Sequence, residues 1–246
     1  MLGVNHSHHL ALLRRNLRSF AAFHRLLGQH CGIVLEFPGA VGSIVETASD
    51  PWLSALVPEG PEVELGPTLN ALADAPVCVF TCDVRQVEAA MAAGFTELVA
   101  RQAAMGLELP IEGAAPAQVE EGVDLAAVGA VNDVAYGNAR HELERTLAQL
   151  PAEAVHAYGR RADDGTLLSV ALVLDHDGDS TVQYVATLPE ARRAGHAEAV
   201  LRRALADAAA RGIRTSTLTA SEEGRWLYER LGYRVVGELE LRRRAA

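Results

Sequence analysis

The second half of the chain changes from a helical to a strand-like hydrophobic pattern at about residue 155. Apolar residues recur every three to four positions from Val123 to Tyr136, and again from His141 to Leu150, which predicts two helices. Three strand-like runs follow at residues 155–161, 167–174 and 181–187, joined by Asp- and Gly-rich turns of the hairpin type. We therefore expect two helices followed by a three-stranded antiparallel meander.

A long amphipathic helix and a strand–helix–strand unit are predicted to complete this half. The helix covers residues 195–211, and Gly212 fits its C-terminal cap. Its apolar stripe consists of Val200, Leu201, Ala204, Leu205 and Ala208. Strand 216–219, helix 222–231 and strand 233–241 follow, with Ser221 as the natural N-cap of that helix.

The first half ends in a similar order of elements. A helix at 84–93 is followed by Gly94-Phe95 and a strand-like stretch to Leu109, as the later helix is followed by Gly232-Tyr233 and a strand. This echo favours a duplicated fold, although a glycine after a helix is common enough for coincidence. Pro, Gly and small residues at 113–118 predict a linker, which gives domains at 1–112 and 119–246.

Composition narrows the class of protein. The chain has 246 residues, of which 49% are hydrophobic and 22% charged, and a formal net charge of −10. The acidic balance argues against nucleic-acid binding and fits weakly with a cationic amine substrate. No apolar run is long enough for a membrane span. Three cysteines give no disulfide framework, so we expect a cytoplasmic protein, with Cys78 and Cys82 as core thiols rather than metal ligands.

The segment with the clearest chemistry is the strand-to-helix junction at residues 185–197. A helix N-terminus leaves backbone N–H groups unpaired and carries a partial positive charge, so it attracts anions. Gly195 and Ala197 permit close approach of a phosphate group, and Arg192 and Arg193 add full charges. The alternative interpretation is a surface loop with solvated arginines.

This junction resembles the pyrophosphate loop of the GNAT N-acetyltransferases, in which Arg/Gln-x-x-Gly-x-Gly/Ala joins a strand to a helix. Residues 227–233, Leu-Tyr-Glu-Arg-Leu-Gly-Tyr, are similar to the segment that closes the coenzyme site in that family. The resemblance covers residues 119–246 and implies a mixed, mainly antiparallel α/β sheet flanked by helices. It also implies acetyl-CoA as co-substrate, without a metal. The implied coenzyme-binding residues are Val185, Ala186, Thr187, Arg192, Arg193, Ala194, Gly195, His196 and Ala197.

The first half looks like a degenerate copy, as in tandem bacterial members of this superfamily. Residues 95–109 resemble the closing strands of such copies. Between residues 55 and 67, where a phosphate loop would lie, glutamates stand in place of an arginine–glycine loop. The second half departs from the family pattern at Arg193, where many relatives have glycine, and at Ala194, where many have a basic residue. These departures put the affinity for CoA in question.

The resemblance implies that an amine attacks the thioester directly. Tyr228 matches the family's usual acid, and the alternative role for its ring is packing. Four glutamates are candidates for the base, although composition favours a solvated helix residue for each of them: Glu142, Glu144, Glu222 and Glu223. A water chain could replace them. Asn132 and Tyr136 are candidates for contact with the acceptor, which is a small-molecule or peptide amine.

Two other classes of protein are considered as interpretations of this sequence: a dinucleotide-binding enzyme and a non-catalytic protein. A dinucleotide-binding fold would need a glycine-rich turn after an early strand and an acidic residue about 20 positions later, and the glycines near residue 40 lack that spacing. A catalytically silent CoA sensor or a partner-binding pseudo-enzyme is compatible with the sequence. The chain is expected to be a monomer or a homodimer.

Overall fold

The chain folds into two compact units. The computed structural model describes residues 2–46, 51–72, 75–112, 116 and 118–245, with side chains from Ser7 onward. The first unit comprises residues 1–106, 217–229 and 233–246, and the second comprises residues 107–216 and 230–232. Residues 113–115 and 117 of the predicted linker lie outside the described residues. Most of the closing strand–helix–strand segment belongs to the first unit, because the last strand pairs with two of that unit's strands.

The first unit contains a sheet in the strand order β1-β2-β3-β4-β11-β5. Only β3 and β4 pair in parallel, and the other pairs are antiparallel. The strands are β1 (Gly32–Phe37), β2 (Ala40–Val45), β3 (Ala55–Pro58), β4 (Cys78–Thr81), β5 (Glu97–Glu108) and β11 (Arg234–Arg243). The helices are α1 (Leu2–Cys31), α2 (Gly66–Ala71), α3 (Val84–Ala92) and α7 (Arg225–Arg230). Strand β10 (Thr215–Ala220) begins in the second unit and ends in the first.

The described residues of the first unit include two hydrophobic clusters, one on each face of β4. Alternate residues of β4 enter different clusters, since successive side chains of a strand point to opposite faces. Cys78 and Phe80 pack with α1 residues such as Leu17, while Val79 packs with Leu69 of α2 and Ala90 of α3. The expectation that Cys78 is a core thiol is confirmed by this packing.

The second unit contains an antiparallel meander in the strand order β9-β8-β7-β6. Its elements are β6 (Glu120–Glu121), α4 (Leu125–Tyr136), α5 (Glu142–Leu147), β7 (His156–Arg161), β8 (Leu167–His176), β9 (Asp179–Thr187) and α6 (His196–Ala210). This is the predicted order of two helices, meander and long helix. Gly129 allows α4 and α5 to touch, because a Cβ at this position would lie 2.4 Å from the Cα of Glu144.

The fold class expected from the sequence is confirmed. The described helices flank a mixed, mainly antiparallel sheet. The predicted α7 begins at Arg225 rather than at residue 222, since the hydroxyl of Ser221 accepts the Gly224 N–H in a turn that precedes the helix. Among the helices of the described residues, none is both long and apolar enough to cross a membrane.

A fully buried histidine lies in the core of the first unit. His24 is 1% exposed, and its Nδ1 lies 2.8 Å from the hydroxyl of Ser43, which donates to the carbonyl of Leu53. The ring also packs edge-on against Phe20. Because burial penalises the charged imidazolium, it lowers the pKa of His24 from 6.5 to about 3.

The first unit is therefore expected to lose stability as the pH falls from about 6.5 towards 3. Between pH 6.5 and 3, His24 binds a proton in the unfolded chain and stays neutral in the folded chain. The free energy of unfolding therefore decreases by up to about 1.4 kcal/mol for each pH unit of acidification. Denaturant titrations between pH 7.5 and 4 measure the slope. In His24→Gln the slope should be shallower, whereas His30→Gln, at an exposed position on the same helix, should keep it. Equal slopes in wild type and His24→Gln would show that another group controls acid stability.

Candidate functional site

The junction between β9 and α6 has an unusual backbone. A 3-10 turn at Pro189–Ala191 follows β9, and the next residues lead into His196, the first residue of α6. Gly195 is the N-cap with φ 77°, and Arg193 has φ 63°. Few residues other than glycine adopt such angles. A Cβ at Gly195 would meet nothing within 4 Å, so it is the backbone angle of this residue, and not a close neighbour, that favours glycine.

The N-terminus of α6 presents backbone donors. The first helical hydrogen bond runs from the N–H of Ala199 to the carbonyl of Gly195, at 3.0 Å. The N–H groups of His196, Ala197 and Glu198 precede it, and Gly195 offers no side chain to cap them. Three N–H groups at the positive end of a 15-residue helix suit the binding of an anion.

Arg193, two residues before the N-cap of α6, is available to bind an anion. Within the described residues, the guanidinium of the exposed Arg193 forms no hydrogen bond or ion pair. Glu198 places a carboxylate in the first turn of α6, where it could repel an anion. Its oxygens lie 3.1 Å from Arg202 and 2.8 Å from Arg230, so this negative charge is offset by two positive ones.

Arg160 is a basic residue near α6 that sequence reasoning missed. It lies on β7, where its Nη2 donates to Gln118 at 2.9 Å. Burial, and secondarily the charge of Arg160, lower the pKa of His196, whose Nδ1 is buried without a hydrogen-bond partner. Both effects favour the neutral form of the His196 imidazole. No motif could reveal this pair, because the two residues are far apart in sequence and meet only through strand pairing and helix packing.

Arg192 has partners other than solvent. Its Nη2 donates to the carbonyl of Ala135 at 2.6 Å, and its Nε donates to the carbonyl of Thr187 at 3.3 Å. Ala135 lies in the last turn of α4, where helix carbonyls lack intrahelical partners. The predicted phosphate contact of Arg192 stays a prediction, and in this structure the side chain joins the end of α4 to the end of β9.

Strand β9 has a bulge just before the junction. Val170 pairs with Ala186 and Leu172 pairs with Gln183, so Ala171 alone faces both Tyr184 and Val185. Tyr184 has φ 49°, which is left-handed for a non-glycine residue.

Beyond the bulge, the ladder orients the peptide groups of Thr187. The Leu188 N–H donates to the Leu168 carbonyl at 2.9 Å. Hydrogen bonding to the neighbouring strand alternates from one residue to the next in an antiparallel ladder, so the N–H and carbonyl of Thr187 both point away from β8. On that side the carbonyl of Thr187 accepts a hydrogen bond from Arg192.

The two residues predicted to contact an acceptor both bind β9. The amide of Asn132, which is 3% exposed, donates to the carbonyls of Val128 and Tyr184, at 3.1 and 3.0 Å. The hydroxyl of Tyr136 donates to the carbonyl of Val185 at 3.2 Å, while the residue is 74% exposed. Their contact with an acceptor stays a prediction.

The candidate bases lie in different surroundings. Glu142 is 5% exposed, whereas Glu144 is half-buried and lies 3.1 Å from the imidazole of His141. Asp133, His141 and Glu144 bring donor atoms within 4.8 Å of one another. The Asp133 carboxylate already accepts the Glu144 N–H at 2.9 Å as a cap of α5. Glu222 and Glu223 are exposed in the turn before α7.

The predicted acid, Tyr228, lies on α7 and is counted with the first unit. It is 9% exposed and packs edge-on against Tyr233, with ring centroids 6.0 Å apart. The contact with Tyr233 shows the packing role of the ring, and its role as a proton donor stays a prediction.

Comparisons with known proteins point to one fold. Residues 180–236, from β9 through α6 to β11, match the family described as acetyltransferase (GNAT) domain. The structure is similar to a GCN5-related N-acetyltransferase from Kribbella flavida, with a TM-score of 0.65 and 20% identity over 95% of this chain and 96% of that one. A GCN5-related N-acetyltransferase from Sphaerobacter thermophilus gives a TM-score of 0.54 and 17% identity over 84% of this chain and 76% of that one.

Among curated proteins, no sequence matches the chain. The matched region and the two structures show that the chain has the fold of the GNAT acetyltransferases. The prediction that the first half is a degenerate tandem copy stays a prediction.

Proposed function

We propose that this protein transfers an acetyl group from acetyl-CoA to a primary amine. The observation that carries the proposal is the N-terminus of α6, where three backbone N–H groups have no side-chain cap and the exposed Arg193, with no partner among the described residues, stands two residues before the N-cap Gly195. This arrangement suits a diphosphate, which is bound best by several N–H donors and a fixed positive charge.

The residues of the junction fit the coenzyme. No atom lies within 4 Å of the point where a Cβ of Gly195 would stand, and Ala197 contributes only a methyl group. The one acidic side chain in the first turn, Glu198, is paired with arginines. We assign the diphosphate to the N–H groups of residues 196–198 and to Arg193.

Acetyl-CoA supplies a thioester whose carbonyl an amine can attack. The chain must then supply a donor for the negative charge that develops on the carbonyl oxygen. The N–H of Thr187 is our candidate, because the ladder directs it away from β8 just before the anion site. The bulge at Tyr184 and Val185 makes the N–H of Val185 a second candidate.

The acceptor is proposed to be a neutral primary amine, since an ammonium group has no lone pair. The net charge of −10 favours encounter with a cationic amine, which must lose its proton before it attacks. The exposed ring of Tyr136, next to the bulge, is the described surface that we assign to acceptor contact. Glu144 is our candidate for the base that takes the proton, because it is half-buried on α5.

The experiment measures binding and turnover separately. Calorimetric titration with CoA should show binding that inorganic pyrophosphate weakens by competition. Incubation with acetyl-CoA and a panel of amino acids, polyamines, aminoglycosides, arylamines and peptide N-termini should release free thiol with at least one amine. CoA binding without thiol release from any amine would indicate a CoA sensor. Absence of CoA binding would make the proposal wrong.

A further inference from the structure

Three side chains of the second unit hold the end of β9 by its carbonyl groups. Asn132 donates to Tyr184, Tyr136 to Val185 and Arg192 to Thr187, at 3.0, 3.2 and 3.3 Å. We call Asn132, Tyr136 and Arg192 the β9 clasp. The clasp binds the carbonyls of residues 184, 185 and 187. The proposed oxyanion donors, the N–H groups of Val185 and Thr187, lie in the same segment.

The clasp keeps the bulge in a costly conformation. A left-handed backbone at a tyrosine costs about 1–2 kcal/mol, so Tyr184 needs compensating contacts. The amide of Asn132 is nearly fully buried, and it donates to the carbonyl of Tyr184 itself, at 3.0 Å. Removing this amide takes away a hydrogen bond that holds the strained residue.

Arg192 belongs to the clasp because its donors are directed at carbonyls. Backbone N–H groups already satisfy two neighbouring carbonyls of α4, since Gly137 donates to Val134 and Asn138 donates to Asp133. Arg192 takes the carbonyl of Ala135, and its positive charge is favourable at the negative end of the helix. The same guanidinium fixes the Thr187 carbonyl, and therefore the direction of the Thr187 N–H.

We propose that Asn132 and Arg192 are positioning residues of acyl transfer, which orient the peptide groups of β9 without touching coenzyme or acceptor. This inference rests on the proposed function. It assigns Arg192 a role different from that of Arg193, although both belong to the same loop motif. Arg192 acts through hydrogen bonds to carbonyls, whereas Arg193 acts through its charge on the diphosphate.

The test compares glutamine at the two arginines, because glutamine keeps an N–H donor and loses the charge. Arg192→Gln should lower kcat about tenfold and leave the Kd for CoA within about twofold of wild type. Arg193→Gln should raise that Kd about tenfold, with little change in kcat. Arg192→Lys should recover only part of kcat, since an ammonium group cannot bridge two carbonyls as a guanidinium does. Asn132→Ala should lower kcat about 100-fold at unchanged Kd.

A second readout does not depend on catalysis. Amide hydrogen exchange in the peptide that covers residues 184–187 should be faster in Asn132→Ala and Arg192→Gln than in wild type, and unchanged in Arg193→Gln. A weaker Kd with normal kcat in Arg192→Gln would overturn the inference in favour of phosphate binding. Unchanged exchange in Arg192→Gln would also overturn it, even if Asn132→Ala does not fold. If wild type binds no CoA, the proposed function fails, and the exchange data still decide whether the clasp holds β9.

Discussion

Replacing Ala197 by glutamate is expected to raise the Kd for CoA by at least about 100-fold. Ala197 is the second residue of α6, and its N–H is one of the three that precede the first helical bond. A carboxylate there would lie about 5 Å from the diphosphate, and two like charges at that distance repel by about 3 kcal/mol at an effective dielectric constant of 20. The new carboxylate could also accept the N–H groups that the diphosphate needs.

The fold should tolerate this change. An acidic side chain in the first turn of a helix is stabilising by about 0.3–1 kcal/mol, so the loss of binding cannot be attributed to unfolding. Calorimetry measures the Kd, and a denaturant titration on the same sample measures stability. Ala197→Gln has the same bulk without the charge, and its Kd should rise much less. If the glutamate and glutamine variants bind CoA equally well, electrostatics at α6 does not govern coenzyme binding.

Replacing Tyr228 by phenylalanine is expected to lower kcat about 100-fold, the usual contribution of a positioned acid. The reason is chemical: a thiolate leaves as the amide forms, and a proton donor stabilises it. The Kd for CoA should stay near that of wild type, because the ring and its packing against Tyr233 are retained. Steady-state kinetics with the best amine of the panel, together with CoA calorimetry, provide both values.

Tyr233→Phe is the matched control. Tyr233 is 2% exposed and forms the other half of the aromatic pair, so its variant loses an equivalent hydroxyl from the same part of the first unit. We expect it to keep most of the turnover. Unchanged kcat in Tyr228→Phe would remove Tyr228 from the mechanism, and an equal decrease in both variants would indicate a structural role for the pair.

Most elements of the second unit could be predicted because their signals are local. The apolar stripe of α6 is visible as a period of three to four residues within that helix. Each turn between β7, β8 and β9 is likewise specified by a few consecutive residues. Boundaries were less accurate. The predicted start of α7 is three residues early, since a serine before Glu-Glu-Gly can cap a turn as well as a helix.

The division into compact units could not be predicted. Strand β11 is the last element of the chain, yet it pairs with β4 and β5, in which the partner residues are at least 128 positions away (Arg234 with Gly106). The hydrophobic pattern of a strand indicates which of its faces is buried, but it does not indicate which strand it pairs with. The sequence therefore led to domains at 1–112 and 119–246, whereas the closing elements are counted mainly with the first unit.

Sequence by itself determined the strand-to-helix junction at residues 192–197, because a glycine N-cap and a helix N-terminus are properties of a few consecutive residues. Only the tertiary structure decided which groups Arg192 of that junction contacts. Arg192 meets a carbonyl 57 residues away, and Asn132 meets one 52 residues away, so packing of α4 against β9 sets their hydrogen-bond partners. A local motif specifies which hydrogen-bonding and charged groups a segment carries, whereas long-range packing determines which groups they contact.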